Sequence, residues 1–397
     1  MTANTPLHTV DSGPSNSTTR PYLPFARPTI DEAAIVGVAE VLRSGWITSG
    51  PKVLEFEQAL SDWHEGRPAR TVSSATAALE VALQVAGIGP GDEVVTSAMS
   101  FFAAANMIIK VGAKPVFVDC DLATRNIDFD QVEAAITPRT RAILPTHFAG
   151  LPVNMERLYD IAGRRHLRVI EDAALAIGSR WKGRRIGAFG DVVVFSFHPN
   201  KNITTIEGGA LILRDAAEAK RVEKLRFHGI LRLPDGTRDV DAAGGKFNMP
   251  DVNARLGLSQ LARLDDFNAR RRTLAAHYLA RLHTDPQCLL PARAHPGEED
   301  GHSWNMFCVL LPLDRMKITR KQFMEAMHAR GIGTGISYEA LHLTTLCRRY
   351  NYREGDFPNA ELISRQTVTL PLFPAMTEHD VQRVCDAAAE IMLEARR

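Results

Sequence analysis

A chain of 397 residues is long enough for two domains with substantial cores, and its 45% hydrophobic content is ordinary for a globular protein. Its 47 Lys and Arg against 46 Asp and Glu leave a formal charge of +1, which gives no sign of a nucleic-acid or membrane partner, so an anionic ligand must be held by local groups. The five cysteines (Cys120, Cys288, Cys308, Cys347, Cys385) are scattered, odd in number and without CxxC spacing. They indicate neither a disulfide framework nor a zinc site, and they fit the cytoplasm.

Residues 1–21 are rich in Ser, Thr, Pro and Asn, lack the apolar core of a signal peptide and read as a disordered tail. No apolar run is long enough to span a bilayer. Asp31 is placed to cap a helix whose face carries Ile35, Val38, Ala39 and Leu42, and Gly45 should end it. A turn-rich loop over 44–52 contains Trp46, and a second helix is expected over 53–65. From residue 69 the pattern alternates. Short β-branched runs at 70–72, 93–96, 115–118, 142–145, 167–170 and 192–197 are separated by helical stretches ending near 85, 111, 136 and 164. This predicts an α/β fold with a mainly parallel, helix-covered sheet and ligands at the carboxyl ends of its strands. A polar, Gly-rich stretch at 231–245 reads as a mobile loop, and one long amphipathic helix is expected over 250–282. Beyond it, strand-like runs at 305–311 and 367–370 and helices at 319–330 and 378–394 suit a smaller α+β domain. The expected division is 22–265 for the large domain and 266–397 for the small one.

The chemistry gathers between residues 167 and 213. One apolar run delivers Asp172 to a strand end, and the next delivers Ser196 there, followed by a turn with Lys201 and the pair Gly208-Gly209. Each residue has an ordinary role when taken alone. Asp172 could cap a helix, Ser196 could satisfy a local backbone group, and Lys201 could be a solvated surface charge. An acid, a hydroxyl and a lysine at successive strand ends also suit pyridoxal phosphate. The lysine forms the Schiff base, the acid keeps the pyridine nitrogen protonated and the hydroxyl helps to hold the phosphate.

The run E-D-A-A at 171–174, followed by F-S-F-H-P-N-K-N-I-T-T-I-E-G-G at 195–209, resembles the sugar aminotransferases called DegT/DnrJ/StrS, a branch of the fold-type I pyridoxal phosphate enzymes. The resemblance extends from about residue 23 to the C-terminus. It implies that Lys201 is catalytic and that Asp172 faces the ring nitrogen. It also implies that Ala75 and Thr76 hold the phosphate with Ser196, and that Phe101 stacks on the ring. Ser74 as a plain helix cap and Phe101 as a core residue are the alternatives. Asn248, in G-K-F-N-M-P, matches a residue that reaches the cofactor of a second subunit, which implies a homodimer with shared sites; a helix-terminal residue of no chemical role is the alternative. Trp46, Thr48, Tyr338 and His342 fall in segments that resemble substrate-facing ones. Leu175 stands where the family generally has His or Gln beside the cofactor's 3′-oxygen, and leucine cannot donate that hydrogen bond.

The activity implied is transfer of an amino group from glutamate to a nucleotide-linked keto-sugar. A UDP-4-keto-sugar for cell-surface polysaccharide, lipopolysaccharide or lipid A modification is expected, with other UDP-, dTDP- or GDP-keto-sugars as alternatives. Sugar dehydration, a sister reaction in which histidine replaces the lysine, is disfavoured because Lys201 is retained. A reading from another class is a non-catalytic cofactor-binding regulator; the chain shows no DNA-binding helix-turn-helix segment and no basic stripe.

Overall fold

The computed structural model describes residues 21–282, 290–291 and 301–396, so residues 1–20 of the expected N-terminal tail and Cys288 lie outside the described residues. Seven strands form the central sheet: β1 (Ala69–Val72), β2 (Glu93–Ser97), β3 (Lys114–Val118), β4 (Thr140–Leu144), β5 (Arg168–Asp172), β6 (Val192–Ser196) and β7 (Gly209–Ile212). Their spatial order is β1-β7-β6-β5-β4-β2-β3. The pairs β2–β3, β2–β4, β4–β5 and β5–β6 are parallel, while β7 runs antiparallel to both β6 and β1. Helices cover both faces, which is why β6 reads as a near-continuous apolar run and not as an alternating one.

Helix boundaries follow local chemistry. Asp31 accepts the Ala34 amide at 2.9 Å to start the helix Glu32–Ser44, and Gly45, at φ 74°, ends it in the left-handed conformation that glycine adopts without strain. The single helix expected over 250–282 is two, Asp251–Leu261 and Leu264–Leu282, separated by a turn at Ala262 and Arg263. Arg263 pairs there with Asp31 at 2.8 Å, and its guanidinium stacks on Phe267. No proline or glycine marks the break. The stretch 231–245, expected to be an irregular loop, contributes to a short exposed hairpin in which Ile230–Arg232 pairs antiparallel with Arg238–Val240.

The apolar core lies in clusters. One sits under the sheet around Val95, Ile143, Val169, Phe195 and Phe197, and it takes in Leu264 and Phe267 of the second helix. Another surrounds the antiparallel pair β8 (Phe307–Leu310) and β9 (Thr367–Leu370) and takes in Leu274, Tyr278 and Leu282 of the same helix. One helix is therefore rooted in both. Leu23 departs from the expected division: it packs in the second cluster, and its backbone bonds Gly331 O and Gly333 N at 2.9 and 2.8 Å. An apolar residue with two backbone bonds to the C-terminal unit belongs with that unit, although it precedes the sheet in sequence. Among the described residues, no helix is long and apolar enough to cross a membrane.

Candidate active site

A cavity of about 210 Å³ opens at the carboxyl ends of β5 and β6, where the topology places a ligand. Asp172 ends β5, Ser196 ends β6, and both line it together with Lys201, Ala75, Thr76, Phe101, Leu175 and Tyr338. Residues from segments up to 263 positions apart in sequence thus meet at one place. Thr146, Asn200 and Glu207, to which the sequence assigned no role, also line the cavity, as does His198. Thr146 follows β4 at its carboxyl end, so the rule that located Asp172 could have located it as well.

One wall suits an anion. The helix Ala75–Val85 begins at the cavity; Ser74 Oγ caps the Ala77 amide at 3.1 Å, and the Ala78 amide bonds Ser74 O. Ser74 is therefore a helix cap, and the preceding amides, those of Ala75 and Thr76, are left for a ligand at the positive end of the helix dipole. Gly209 makes this approach possible. A Cβ there would stand 2.6 Å from the Ala75 nitrogen, so only glycine lets β7 lie against the helix terminus. The hydroxyl of Ser196, on the adjoining strand, completes the wall.

Another part of the lining suits a protonated nitrogen. Asp172 is 4% exposed, and burial raises its pKa; the Ala174 amide, Lys201, His147 and Thr146 act against that rise. The amide bond from Ala174, at 3.1 Å, is the cap-like contact expected of an Asp here; Thr146 also hydrogen-bonds the carboxylate, whose remaining lone pairs can accept from a ligand. A fully buried pair lies behind it. The Val153 amide donates to His147 Nδ1 at 3.0 Å, so Nε2 carries the proton and donates to Glu171 at 2.9 Å; Tyr159 donates to the other Glu171 oxygen at 2.5 Å.

Lys201 faces the same space. Desolvation lowers its pKa from 10.5 to about 8, while the nearby Asp172 carboxylate acts in the raising direction. An amine at that value is substantially neutral near pH 8 and can act as a nucleophile and as a base. Phe101 precedes the helix Phe102–Lys110 and presents a half-exposed ring to the cavity, where it meets Tyr338 edge-on at 5.7 Å. Tyr338 comes from the C-terminal unit, held there by the bridge between Met99 and Ala340. Leu175 is 4% exposed and packs with Phe148, Met306 and Cys308 while also touching the cavity.

Four expected site residues do not line this chain's cavity. His342 is buried in the C-terminal unit, where its Nε2 meets Glu361 at 3.0 Å and its ring meets Phe357 edge-on at 4.8 Å. Trp46 and Thr48 are drawn elsewhere by Asp251, whose carboxylate accepts the Gly50, Lys52 and Val53 amides at 2.8 to 3.1 Å and whose own amide donates to Thr48 O. Trp46 is 60% exposed. Asn248 joins the same loop by donating to Ser49 Oγ at 2.6 Å.

The sequence matches the DegT/DnrJ/EryC1/StrS aminotransferase family over residues 28–389. The chain belongs to that family. Spr1654 from Streptococcus pneumoniae, solved in a PLP-form, is similar to it at 30% identity and TM-score 0.87, covering 94% of this chain and 99% of that one. S. venezuelae DesV, solved with a ketimine intermediate, is 34% identical with TM-score 0.85, covering 94% and 98%. Helicobacter pylori PseC, an aminotransferase involved in pseudoaminic acid biosynthesis, is 28% identical with TM-score 0.87, covering 94% and 100%. The protein is thus a pyridoxal phosphate-dependent aminotransferase of the sugar aminotransferase family, with the fold-type I architecture. The regulator reading is set aside.

Proposed function

We propose that this aminotransferase moves an amino group from glutamate to a keto-sugar carried on a nucleotide, with UDP-4-keto-sugars as the first class to test. The observation that carries the reading is the convergence of Asp172, Lys201, Ser196 and the Ala75–Thr76 amides on one cavity within a sugar aminotransferase family. The finer choice of sugar rests on sequence. The stretches at 42–52, 73–77, 225–229, 331–335 and 370–377 resemble UDP-4-amino-4-deoxy-L-arabinose–oxoglutarate aminotransferases. Such a product would serve cell-surface polysaccharide, lipopolysaccharide or lipid A modification. The four described cysteines are buried free thiols, the usual state in a reducing compartment such as the cytoplasm.

The residues present fit pyridoxal phosphate, because one cavity brings together a helix terminus suited to an anion, a buried carboxylate and a lysine. Bound there, the cofactor would supply an electron sink for the electron pair left when the amino acid's α-carbon loses its proton. Ala75, Thr76 and Ser196 would hold its phosphate. Asp172 would hold the proton on the ring nitrogen, and Phe101 would pack on the face of the ring. Lys201 would hold the cofactor through its amine, which, near pKa 8 when free, can accept and return a proton. Leu175 offers the ring an apolar edge without a hydrogen-bond donor.

The working form in this reading is a homodimer in which Asn248 serves the site of the second copy, since it does not line its own cavity. The helix Glu32–Ser44 and its following loop leave Ile35, Val36, Leu42, Trp46 and Ile47 between 45 and 60% exposed, an apolar face suited to a second chain. Trp46 and Thr48 then belong to that shared surface. Incubating the holoenzyme with UDP-, dTDP- and GDP-linked keto-sugars and glutamate, with 2-oxoglutarate as the readout, tests the substrate class. Turnover with a UDP-4-keto-sugar supports the reading. Turnover only with unlinked acceptors, or with none of the panel, overturns it.

A further inference from the structure

Outside the cavity, three buried asparagines form a chain of side-chain hydrogen bonds that ends beside both Lys201 and the turn after Asp172. Asn305 Nδ2 donates to Asn202 Oδ1 at 2.8 Å and to Asn200 O at 3.2 Å. Asn202 Nδ2 donates to Asn268 Oδ1 at 2.6 Å and to Ser303 O at 3.0 Å. Asn268 Nδ2 donates to Ile177 O at 3.1 Å. All three are at most 4% exposed.

The chain has one direction. Turning over Asn202 or Asn268 would set oxygen against oxygen and NH₂ against NH₂, and turning over Asn305 would set its oxygen against Asn202 Oδ1 and Asn200 O, so the bonds specify one arrangement. Burying three primary amides is costly unless each is satisfied, and apolar side chains would fill the same space without that risk. What the amides add is directional registration of four segments. Asn202 follows Lys201 directly, and Ile177 lies among the turns that follow Asp172. Asn268 lies on the helix Leu264–Leu282, and Asn305 lies just before β8 in the C-terminal unit. One helical turn beyond Asn268 on the same face, Arg271 fastens that unit by donating to Asn305 O at 3.0 Å and Leu372 O at 2.8 Å.

We propose that Asn202, Asn268 and Asn305 are positioning residues: their one-way chain fixes the spacing between Lys201 and Asp172 and ties it to the seat of the C-terminal unit. This rests on Lys201 and Asp172 gripping the cofactor as described above. A planar ring held at opposite edges tolerates little change in the spacing of its two holders, and covalent capture by Lys201 is the step most sensitive to that spacing.

The test uses the purified protein stripped of cofactor, comparing wild type with Asn268→Ala, Asn305→Ala and Asn268→Asp. Pyridoxamine phosphate, which cannot bond to Lys201, reports non-covalent affinity; the visible absorbance change on adding pyridoxal phosphate reports covalent capture. Both alanine variants should bind pyridoxamine phosphate as wild type does but capture pyridoxal phosphate on the order of ten- to a hundredfold more slowly. In Asn268→Asp, the protonated carboxyl group can accept from Asn202 and donate to Ile177 O, whereas the ionised one cannot donate. Its capture rate relative to wild type at the same pH should therefore fall as pH rises from about 5.5 to 8. Folded alanine variants with wild-type capture rates and only a lowered melting temperature would overturn the proposal. If the alanine variants do not fold, a pH-independent ratio in Asn268→Asp overturns it alone. Failure of the wild type to capture pyridoxal phosphate would instead refute the reading of Lys201 on which the proposal rests.

Discussion

Replacing Lys201 by methionine should make the cofactor-free protein more stable while ending its activity. The amine is partly buried, and loss of water lowers its pKa to about 8 against an ordinary 10.5, even with Asp172 acting in the opposite direction. In the unfolded chain the amine keeps its proton up to about pH 10.5; in the folded chain it keeps it only to about 8. Below pH 8 both forms are charged, and the native state carries the whole desolvation penalty. Between pH 8 and 10.5 the unfolded chain binds more protons, so wild-type stability rises with pH. After allowance for partial exposure, the penalty at pH 7 is roughly 2–3 kcal/mol. Methionine has similar length and no charge, so it removes that penalty. With an unfolding entropy of about 2.1 cal/mol/K per residue over this chain, the gain corresponds to a melting temperature about 3 °C higher. Differential scanning calorimetry of both stripped proteins at pH 7, 8.5 and 10 checks it. The gap should be widest at pH 7 and shrink toward pH 10. A variant that melts at or below wild type at pH 7, or a gap that does not change with pH, would refute the argument that Lys201 is held against its ordinary pKa.

Asp172→Asn should leave pyridoxal phosphate bound but slow transamination by several orders of magnitude, because a neutral amide cannot hold the ring nitrogen protonated; near-normal turnover would reduce Asp172 to a cap for Ala174. Leu175→Gln should lower the melting temperature, since its side chain packs against Phe148 and Met306. A donor that reaches the cofactor's 3′-oxygen should also lower the pH midpoint of the visible spectrum by roughly one to two units. A midpoint that stays put would make the leucine a packing residue. Asn248→Ala and Lys201→Ala, each inactive or impaired alone, should regain activity when mixed and allowed to exchange subunits, because one of the two sites in the mixed dimer would then be wild type in both residues. No recovery despite proven exchange would show that Asn248 serves its own chain or no site at all.

The sheet was legible in sequence because its strands are buried on both faces and so appear as short β-branched runs spaced by helices. Asp172, Ser196 and Lys201 were legible because they stand at strand ends within about thirty residues of one another. Burial by distant partners was not legible. Tyr338 and His342 lie four positions apart in a segment with one resemblance, yet Tyr338 faces the cavity and His342 is taken up by Glu361 and Phe357. Trp46 and Thr48 stand outside this chain's cavity because Asp251, some two hundred positions away, organises their loop. The break at Ala262 carries no proline or glycine, and the bonds that bring Leu23 to the C-terminal unit come from Gly331 and Gly333, three hundred residues on. The asparagine chain is equally invisible in sequence, because Asn202, Asn268 and Asn305 meet only once the fold has formed.

The most direct test of the account is the site of covalent attachment. Reducing the holoenzyme with borohydride and mapping its peptides should place a single phosphopyridoxyl group on Lys201, with the label absent when glutamate has first converted the cofactor to its amine form. A label on any other lysine, or none on a protein that turns over, would contradict the assignment of this cavity as the active site.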